Sequence, residues 1–296
     1  MSKSPIGFIG LGNMGGRMVR RLIGAGHGVL GYDSAAGRAQ ACGATPAMSI
    51  RQVTENTDHI LLSLPDSHVV EAVVEGEDGI LQHARAGQTV VDLSTAAASS
   101  TVRLCERFRE RGVAYIDAGV SGGAAAADKG MLTLMVGGDH ARVDEIRWLF
   151  EPLSSKLVYM GTSGAGHTTK LLNNFLNAVS LSATAEVMVA GKKAGLDLHL
   201  LLDVLNSSSG VNYATLNRFP KIVDGDYLEG GLTGKLMTKD VLLYIDRVRE
   251  LGVASFNALG PLSAFGLATA LGYGDQISNR VVDAIGDISG GVRLYP

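Results

Sequence analysis

The strongest constraint on this chain is its first apolar run and the residues that follow it. Ile6 to Ile9 reads as a short buried strand, Gly10-Leu11-Gly12-Asn13-Met14-Gly15 comes next, and a helical pattern covers Met14 to Ala25. A G-x-G-x-x-G spacing between strand and helix suits a tight turn at Gly10 and close backbone approach to a pyrophosphate at Gly12. It also suits tight helix-to-strand packing at Gly15. The free N–H groups of the helix N-terminus would face the phosphates. Asp33 follows the next strand pattern, Val29 to Tyr32, and lies 18 residues beyond Gly15. A carboxylate there accepts hydrogen bonds from a ribose 2′-hydroxyl and repels a 2′-phosphate, which favours NAD over NADP. Arg38 stands five residues on and would soften that repulsion. The alternative is a structural turn followed by a surface aspartate.

Further strand patterns occur at Ile60 to Leu64, Thr89 to Leu93, Ala114 to Asp117, Leu132 to Val136 and Leu157 to Met160. A charged helical stretch, Val102 to Arg111, separates the second of these from the third. Strands alternating with helices predict βαβ units and a parallel, doubly wound sheet, hence an α/β first domain over residues 1–162. From Lys170 to Ala190 the chain is apolar almost all round, with Glu186 its one interior charge. That pattern predicts a long buried helix leading into an all-α domain over residues 163–296. Asn173, Asn174, Asn177 and Glu186 argue against a membrane span.

Composition removes several function classes. Apolar residues are 46% and charged residues 19%, which excludes a disordered chain. With 26 Lys plus Arg against 29 Asp plus Glu, no basic field exists to hold nucleic acid or an anionic membrane. Cys42 and Cys105 are too few for a disulfide scaffold, and neither they nor the histidines show metal-ligand spacing. The opening Met1-Ser2-Lys3-Ser4 does not resemble a signal peptide, so the expected location is the cytoplasm.

Two later stretches suggest chemistry. Ser121-Gly122-Gly123 follows the strand pattern ending at Asp117, and successive bare N–H groups beside a hydroxyl can cradle a carboxylate. A flexible turn before the alanine run is the other reading. Downstream, glycines at 164 and 166 precede a helix carrying Lys170 and Asn174 at i and i+4 on one face. A lysine entering an apolar helix is expected to be partly desolvated, which lowers its pKa towards the range useful for proton transfer. A snorkelling lysine at a helix end is the other reading.

Taken together these motifs resemble the 3-hydroxyisobutyrate dehydrogenase family, the β-hydroxyacid dehydrogenases that include tartronate semialdehyde reductases. The likeness runs through Gly7 to Gly15, Leu64-Pro65, Asp92 to Thr95, Asp117 to Gly123, Gly164 to Asn174 and Leu236 to Asp240. It implies a Rossmann domain joined by a long helix to an all-α domain, in a homodimer or homotetramer. By resemblance, Lys170 is the acid/base catalyst, Asn174 helps place the substrate, and Ser121, Gly122 and Gly123 hold its carboxylate. The cofactor, NAD, would meet Gly10, Leu11, Gly12, Asn13, Met14, Gly15, Asp33, Leu64, Pro65 and Thr95, with Lys239 contributed by the second domain. Gly119 stands where the family usually has Pro, His167 where it often has Gln, and Leu232 where it often has Phe. Lys129, Met131 and Ile277 depart from the pattern as well.

The expected reaction is therefore hydride transfer between a nicotinamide and a small anionic β-hydroxy acid or its semialdehyde. Sugar-acid and sulfonate analogues remain alternatives for the substrate. An imine reductase on the same architecture would generally lack the lysine. A 6-phosphogluconate dehydrogenase would carry a His-Asn-Gly run near it, absent here. A non-enzymatic NAD-binding module would be expected to have lost Lys170 or the Ser-Gly-Gly stretch.

Overall fold

The computed structural model describes residues 4–295. The chain divides into two compact units, Met1–Lys170 and Leu171–Pro296, and the expected boundary at 162/163 falls in the turn before the helix Ala165–Lys193.

The first unit is built on an eight-stranded sheet of order β3-β2-β1-β4-β5-β6-β7-β8. The strands are β1 (Ile6–Ile9), β2 (Val29–Tyr32), β3 (Thr45–Pro46), β4 (His59–Leu62), β5 (Thr89–Asp92), β6 (Ala114–Ser121), β7 (Leu132–Gly137) and β8 (Ser154–Gly161). Successive residues point to opposite faces of a strand, and both faces here are covered. Phe8, Leu61 and Val91 enter one apolar core with Leu22 and Phe150, while Ile9, Ile60, Leu62 and Val90 enter another with Leu104 and Phe108. Burying each such side chain contributes about 1.5–3 kcal/mol. This two-sided burial gives the strands their continuous apolar runs.

Two features differ from the sequence expectation. β3 is a two-residue strand at the sheet edge ending in Pro46, too short to leave a periodic signal and placed where proline is tolerated. β6 does not stop at Asp117 but continues to Ser121, because its two halves have different partners. Residues 114–117 pair in parallel with β5, and residues 117–121 pair antiparallel with β7. The sheet is thus mostly parallel with one antiparallel junction. Ser121 ends a strand, Gly122 is the hinge, and Gly123 opens a helix, Gly123–Lys129, so the expected loop is a strand-to-helix turn.

Asp117 ended the strand pattern on paper because it is charged. In the fold it is fully buried, and its carboxylate accepts from the backbone N–H of Gly164 (2.8 Å) and of His167 (2.9 Å). These N–H groups lie at the start of the long helix Ala165–Lys193, where they have no partner within the helix. The partial positive charge of the helix N-terminus offsets the cost of burying the carboxylate.

The second unit is helical. The remainder of the long helix packs with Leu198–Asn206, Gly234–Glu250, Leu259–Ala270 and Val281–Ile288 around Leu181, Met237, Phe265 and Val281. The expectation of burial all round holds for one face of the long helix, where Ala178, Leu181, Ala185 and Met188 are sealed, whereas Leu172, Leu176 and Val187 are exposed. Counting apolar residues cannot separate a core-facing stripe from an exposed one. Among the described residues no helix is long and apolar enough to cross a membrane.

Replacing Asp117 with Asn should destabilise the protein by about 2–4 kcal/mol in urea unfolding, since one amide oxygen cannot serve both N–H donors and the NH2 group would face one of them. A loss below about 1 kcal/mol would show that the helix terminus does not depend on this carboxylate.

Candidate active site

The parallel strands β1, β2, β4, β5 and the first half of β6 send their following loops to one edge of the sheet, the carboxyl edge where α/β folds bind ligands. The glycine turn, Asp33, Leu64-Pro65 and Thr95 belong to these loops, and the Ser121–Gly123 turn follows the second half of β6, which extends past that edge beside β7.

The three glycines of the first turn are bare for different reasons. Gly10 has φ +91°, and a β-carbon there would lie 2.3 Å from the carbonyl oxygen of Ser63. At Gly15 a β-carbon would lie 1.9 Å from the carbonyl oxygen of Gly10. Gly12 is unlike either: it avoids the left-handed conformation, and its β-carbon would meet only the tip of Arg38, at 3.6 Å. Packing forces glycine at 10 and 15 but leaves the surface at Gly12 open. An open, bare backbone ahead of a helix fits a diphosphate.

Asp33 closes this turn from the second strand. Its carboxylate accepts from the N–H of Leu11 (2.7 Å) and of Ala35 (2.8 Å), and Arg38 lies 3.2 Å from it. Burial alone would raise its pKa, but the hydrogen bonds from Ala35, Leu11 and Arg38 outweigh that and hold the carboxyl below its ordinary value. The charge is kept and aimed beside the glycine turn. Arg38 is half exposed, so its pairing costs little to rearrange.

Leu64 is fixed by its N–H, which donates to Ser94 Oγ at 2.9 Å, and Ser94 is the neighbour of Thr95. These cofactor-loop candidates from two different strands are thereby joined. Asn13 and Met14 are at the mouth of the glycine turn, and Pro65 is exposed beside Leu64.

The alternation of β6 organises the other half of the site. Asp117, Gly119 and Ser121 share one face of the strand. Asp117 holds the start of the long helix. One step on, a β-carbon at Gly119 would lie 2.6 Å from the β-carbon of half-buried Lys170. One step further stands Ser121, beside Gly122 (φ +123°) and Gly123 (φ +67°). Nothing lies within 4 Å of a β-carbon built at Gly123, so its backbone is open. Lys170 and the Ser121–Gly123 turn therefore lie along the same half of one strand. The missing side chain at Gly119 is what lets Lys170 sit this close.

In the second unit the buried Asp240 carboxylate accepts from Asn174 Nδ2 (2.5 Å) and lies 3.1 Å from Lys239 Nζ. Asn174 lies one helical turn beyond Lys170 on the same helix, and this carboxylate fixes its amide. Sequence reasoning did not assign Asp240, Asp117, Ser94 or Gly119. A usable signal existed for Asp117, a carboxylate inside an otherwise apolar run. Among the described residues no cluster of three or more His, Cys, Asp or Glu could hold a metal.

Residues 5–161 match the family model of the NAD binding domain of 6-phosphogluconate dehydrogenase. Residues 164–282 match that of the NAD-binding domain of NADP-dependent 3-hydroxyisobutyrate dehydrogenase. The chain is 37% identical over 281 residues to an NAD-dependent L-serine dehydrogenase of Pseudomonas aeruginosa, spanning 92% of this chain and 94% of the relative. It is also 37% identical over 254 residues to the mitochondrial 3-hydroxyisobutyrate dehydrogenase of Mus musculus, spanning 83% of this chain and 76% of the relative. A solved structure of Mycobacterium tuberculosis 3-hydroxyisobutyrate dehydrogenase with L-serine is similar at a TM-score of 0.87 and 29% identity, covering 96% of this chain and 99% of that one. An imine reductase from Pseudomonas sp., at a TM-score of 0.62 and 20% identity over 96% of this chain and 99% of that one, shares the fold alone.

The contrast among the glycines is testable. Gly15→Ala should destabilise the fold by about 1–3 kcal/mol through the collision with Gly10. Gly12→Ala should change stability by no more than about 0.5 kcal/mol, yet weaken NADH binding about tenfold or more, as measured by fluorescence titration. Unimpaired NADH binding by Gly12→Ala would remove Gly12 from the phosphate site.

Proposed function

The chain belongs to the 3-hydroxyisobutyrate dehydrogenase family, and from that premise we propose that it interconverts a small β-hydroxy acid and its semialdehyde or keto acid, with Lys170 as general acid/base. It is an NAD-dependent oxidoreductase acting on CH–OH groups. Residues 1–162 serve as the NAD-binding part and residues 163–296 as the part for substrate and assembly. NAD, when bound, supplies the hydride acceptor.

The observation carrying this reading is the packing of Lys170 against Gly119, two residues from the Ser121-Gly122-Gly123 turn. A proton carrier and an anion cradle so close suit a substrate whose acidic group lies one carbon from its carbinol carbon. Ser121, Gly122 and Gly123 hold that acid and thereby fix the carbinol carbon. In oxidation, neutral Lys170 takes the hydroxyl proton as the carbon gives up hydride; in reduction, the ammonium returns it to the forming alkoxide. Asn174, its amide tied to Asp240, helps place the substrate. Gly10, Leu11, Gly12, Asn13, Met14 and Gly15 offer backbone to the cofactor phosphates, Asp33 accepts from its ribose, and Leu64, Pro65, Thr95 and Lys239 complete its surroundings.

The protein acts in the cytoplasm as a homodimer or homotetramer. Two free cysteines suit a reducing compartment, and Leu200 and Val204, one turn apart and 64% and 60% exposed, suit an assembled surface.

Purified protein should oxidise small β-hydroxy acids with NAD in preference to NADP, followed by absorbance of the reduced cofactor. The amide of a good substrate should be turned over poorly; equal turnover of acid and amide would remove the anion cradle from the reading. Lys170→Ala should lower kcat about 10²–10⁴-fold with far smaller change in NADH affinity. Lys170→Arg should fail nearly as badly, because guanidinium keeps its proton near neutral pH. If the Arg variant retains parental kcat, Lys170 acts as a charge only and another group moves the proton.

A further inference from the structure

Lys170 must be held against the cofactor loops to serve as a proton carrier, and the side chain three residues before it is fully buried His167. Positions i and i+3 of a helix lie on the same side, so whatever fixes His167 fixes the turn bearing Lys170. Its main-chain N–H donates to Asp117. Both ring nitrogens are engaged as well: Nδ1 lies 2.7 Å from Thr101 Oγ1, and Nε2 lies 3.2 Å from the main-chain carbonyl oxygen of Asp92. A carbonyl oxygen only accepts, so Nε2 carries a proton and donates. In the neutral ring Nδ1 then accepts from the Thr101 hydroxyl, whose one proton also faces the Ala97 carbonyl oxygen 3.1 Å away.

Asp92 is itself tied down. Its carboxylate accepts from the Ser94 N–H and the Tyr115 hydroxyl, both at 2.9 Å, and lies 4.0 Å from His167 Nε2. Burial and then the neighbouring Asp92 charge push the Tyr115 hydroxyl well above its ordinary pKa, so it stays a donor. Ser94 in turn receives the Leu64 N–H. Hydrogen bonds, the last two of them buried, thus link the Leu64 loop through Ser94 and Asp92 to His167.

We propose that His167 is a positioning residue for proton transfer: its ring locks the first turn of the long helix to the end of β5 and to the helix Ala98–Glu110, fixing Lys170 relative to Leu64 and Thr95. The proposal rests on the reading of Lys170 as the proton carrier. The imidazole offers one donor and one acceptor in a rigid plane. Glutamine can offer the same pair, whereas leucine fills the space but leaves the Asp92 carbonyl oxygen without the ring N–H and the Thr101 hydroxyl with only the Ala97 carbonyl oxygen.

The test compares His167→Leu, His167→Gln and Thr101→Val in the full chain. His167→Leu should lower kcat about 10–100-fold, the scale expected of a small misplacement, with KM for NAD and substrate within about threefold of the parent. His167→Gln should restore kcat to within about threefold of the parent. Thr101→Val should lower kcat about 3–10-fold and combine non-additively with His167→Leu. A readout free of turnover comes from reductive ¹³C-dimethylation of lysines in the cofactor-free protein, with the Lys170 resonance assigned by its loss in Lys170→Arg. That resonance should move in His167→Leu and Thr101→Val and stay in place in His167→Gln. Parental kcat in His167→Leu, a loss confined to KM, or equal losses in the Leu and Gln variants would each overturn the proposal. Should His167→Leu not fold, Thr101→Val decides: parental kcat with an unmoved resonance overturns it. An inactive Lys170→Ala beside a fully active His167→Leu refutes this inference alone, while an active Lys170→Ala refutes the functional reading beneath it.

Discussion

The carboxylate of Asp117, buried against the first N–H groups of the long helix, is the contact on which the candidate site depends. Its two oxygens meet two donors of a helix terminus that would otherwise be left unsatisfied. Such an approach needs the helix start to lie almost on the sheet. A β-carbon at Gly137 would lie 2.8 Å from Asp117 Oδ1, one at Gly166 2.3 Å from the carbonyl oxygen of Met135, and one at Gly119 2.6 Å from Lys170. These bare positions are three aspects of one requirement, the seating of a charged strand residue under a helix. Lys170 takes its place from that seating.

The same economy of side chains operates at the glycine turn, where two glycines allow close packing and the one between them leaves backbone uncovered. Rigid neighbours keep that backbone open. Gly10 is held under Ser63 and Gly15 under Gly10, so the turn has little room to collapse onto Gly12. The acid that completes the turn, Asp33, is held by Leu11 from within the turn itself. Recognition surface and scaffold are therefore the same few residues.

Much of this was legible in the amino-acid order, for reasons that differ by element. β1 and β2 are short, apolar and each bounded by glycine at one end, with Pro5 and Asp33 at the others, and their limits stand out in the sequence. The helix bearing Lys170 and Asn174 announced itself by spacing. The length of β6 was not legible, because a charged residue inside a strand is plausible only when its partner is known, and Gly164 lies 47 residues away. Gly119 and His167 looked like departures from a pattern. Only three-dimensional neighbours, Lys170 for one and Thr101 and Asp92 for the other, give them a role. Burial of the long helix was over-read, since an apolar composition says nothing about which face meets the core.

The alternation along β6 sets different tolerances for substitution and for change of length. Neighbouring strand residues are about 3.3 Å apart and face opposite ways, whereas helix residues advance about 1.5 Å and turn by roughly 100°. Inserting one residue between Asp117 and Ser121 would turn either the helix seat or the serine to the far side of the sheet, and no adjustment of the helix could follow it. Asp117 itself belongs to both ladders, parallel to β5 and antiparallel to β7, so the extra residue would break the register on at least one side. This five-residue stretch therefore tolerates a change of side chain more readily than a change of length. A substrate of different shape is therefore accommodated here by side chains and by the residues beyond Gly123, on a ruler whose divisions stay the same.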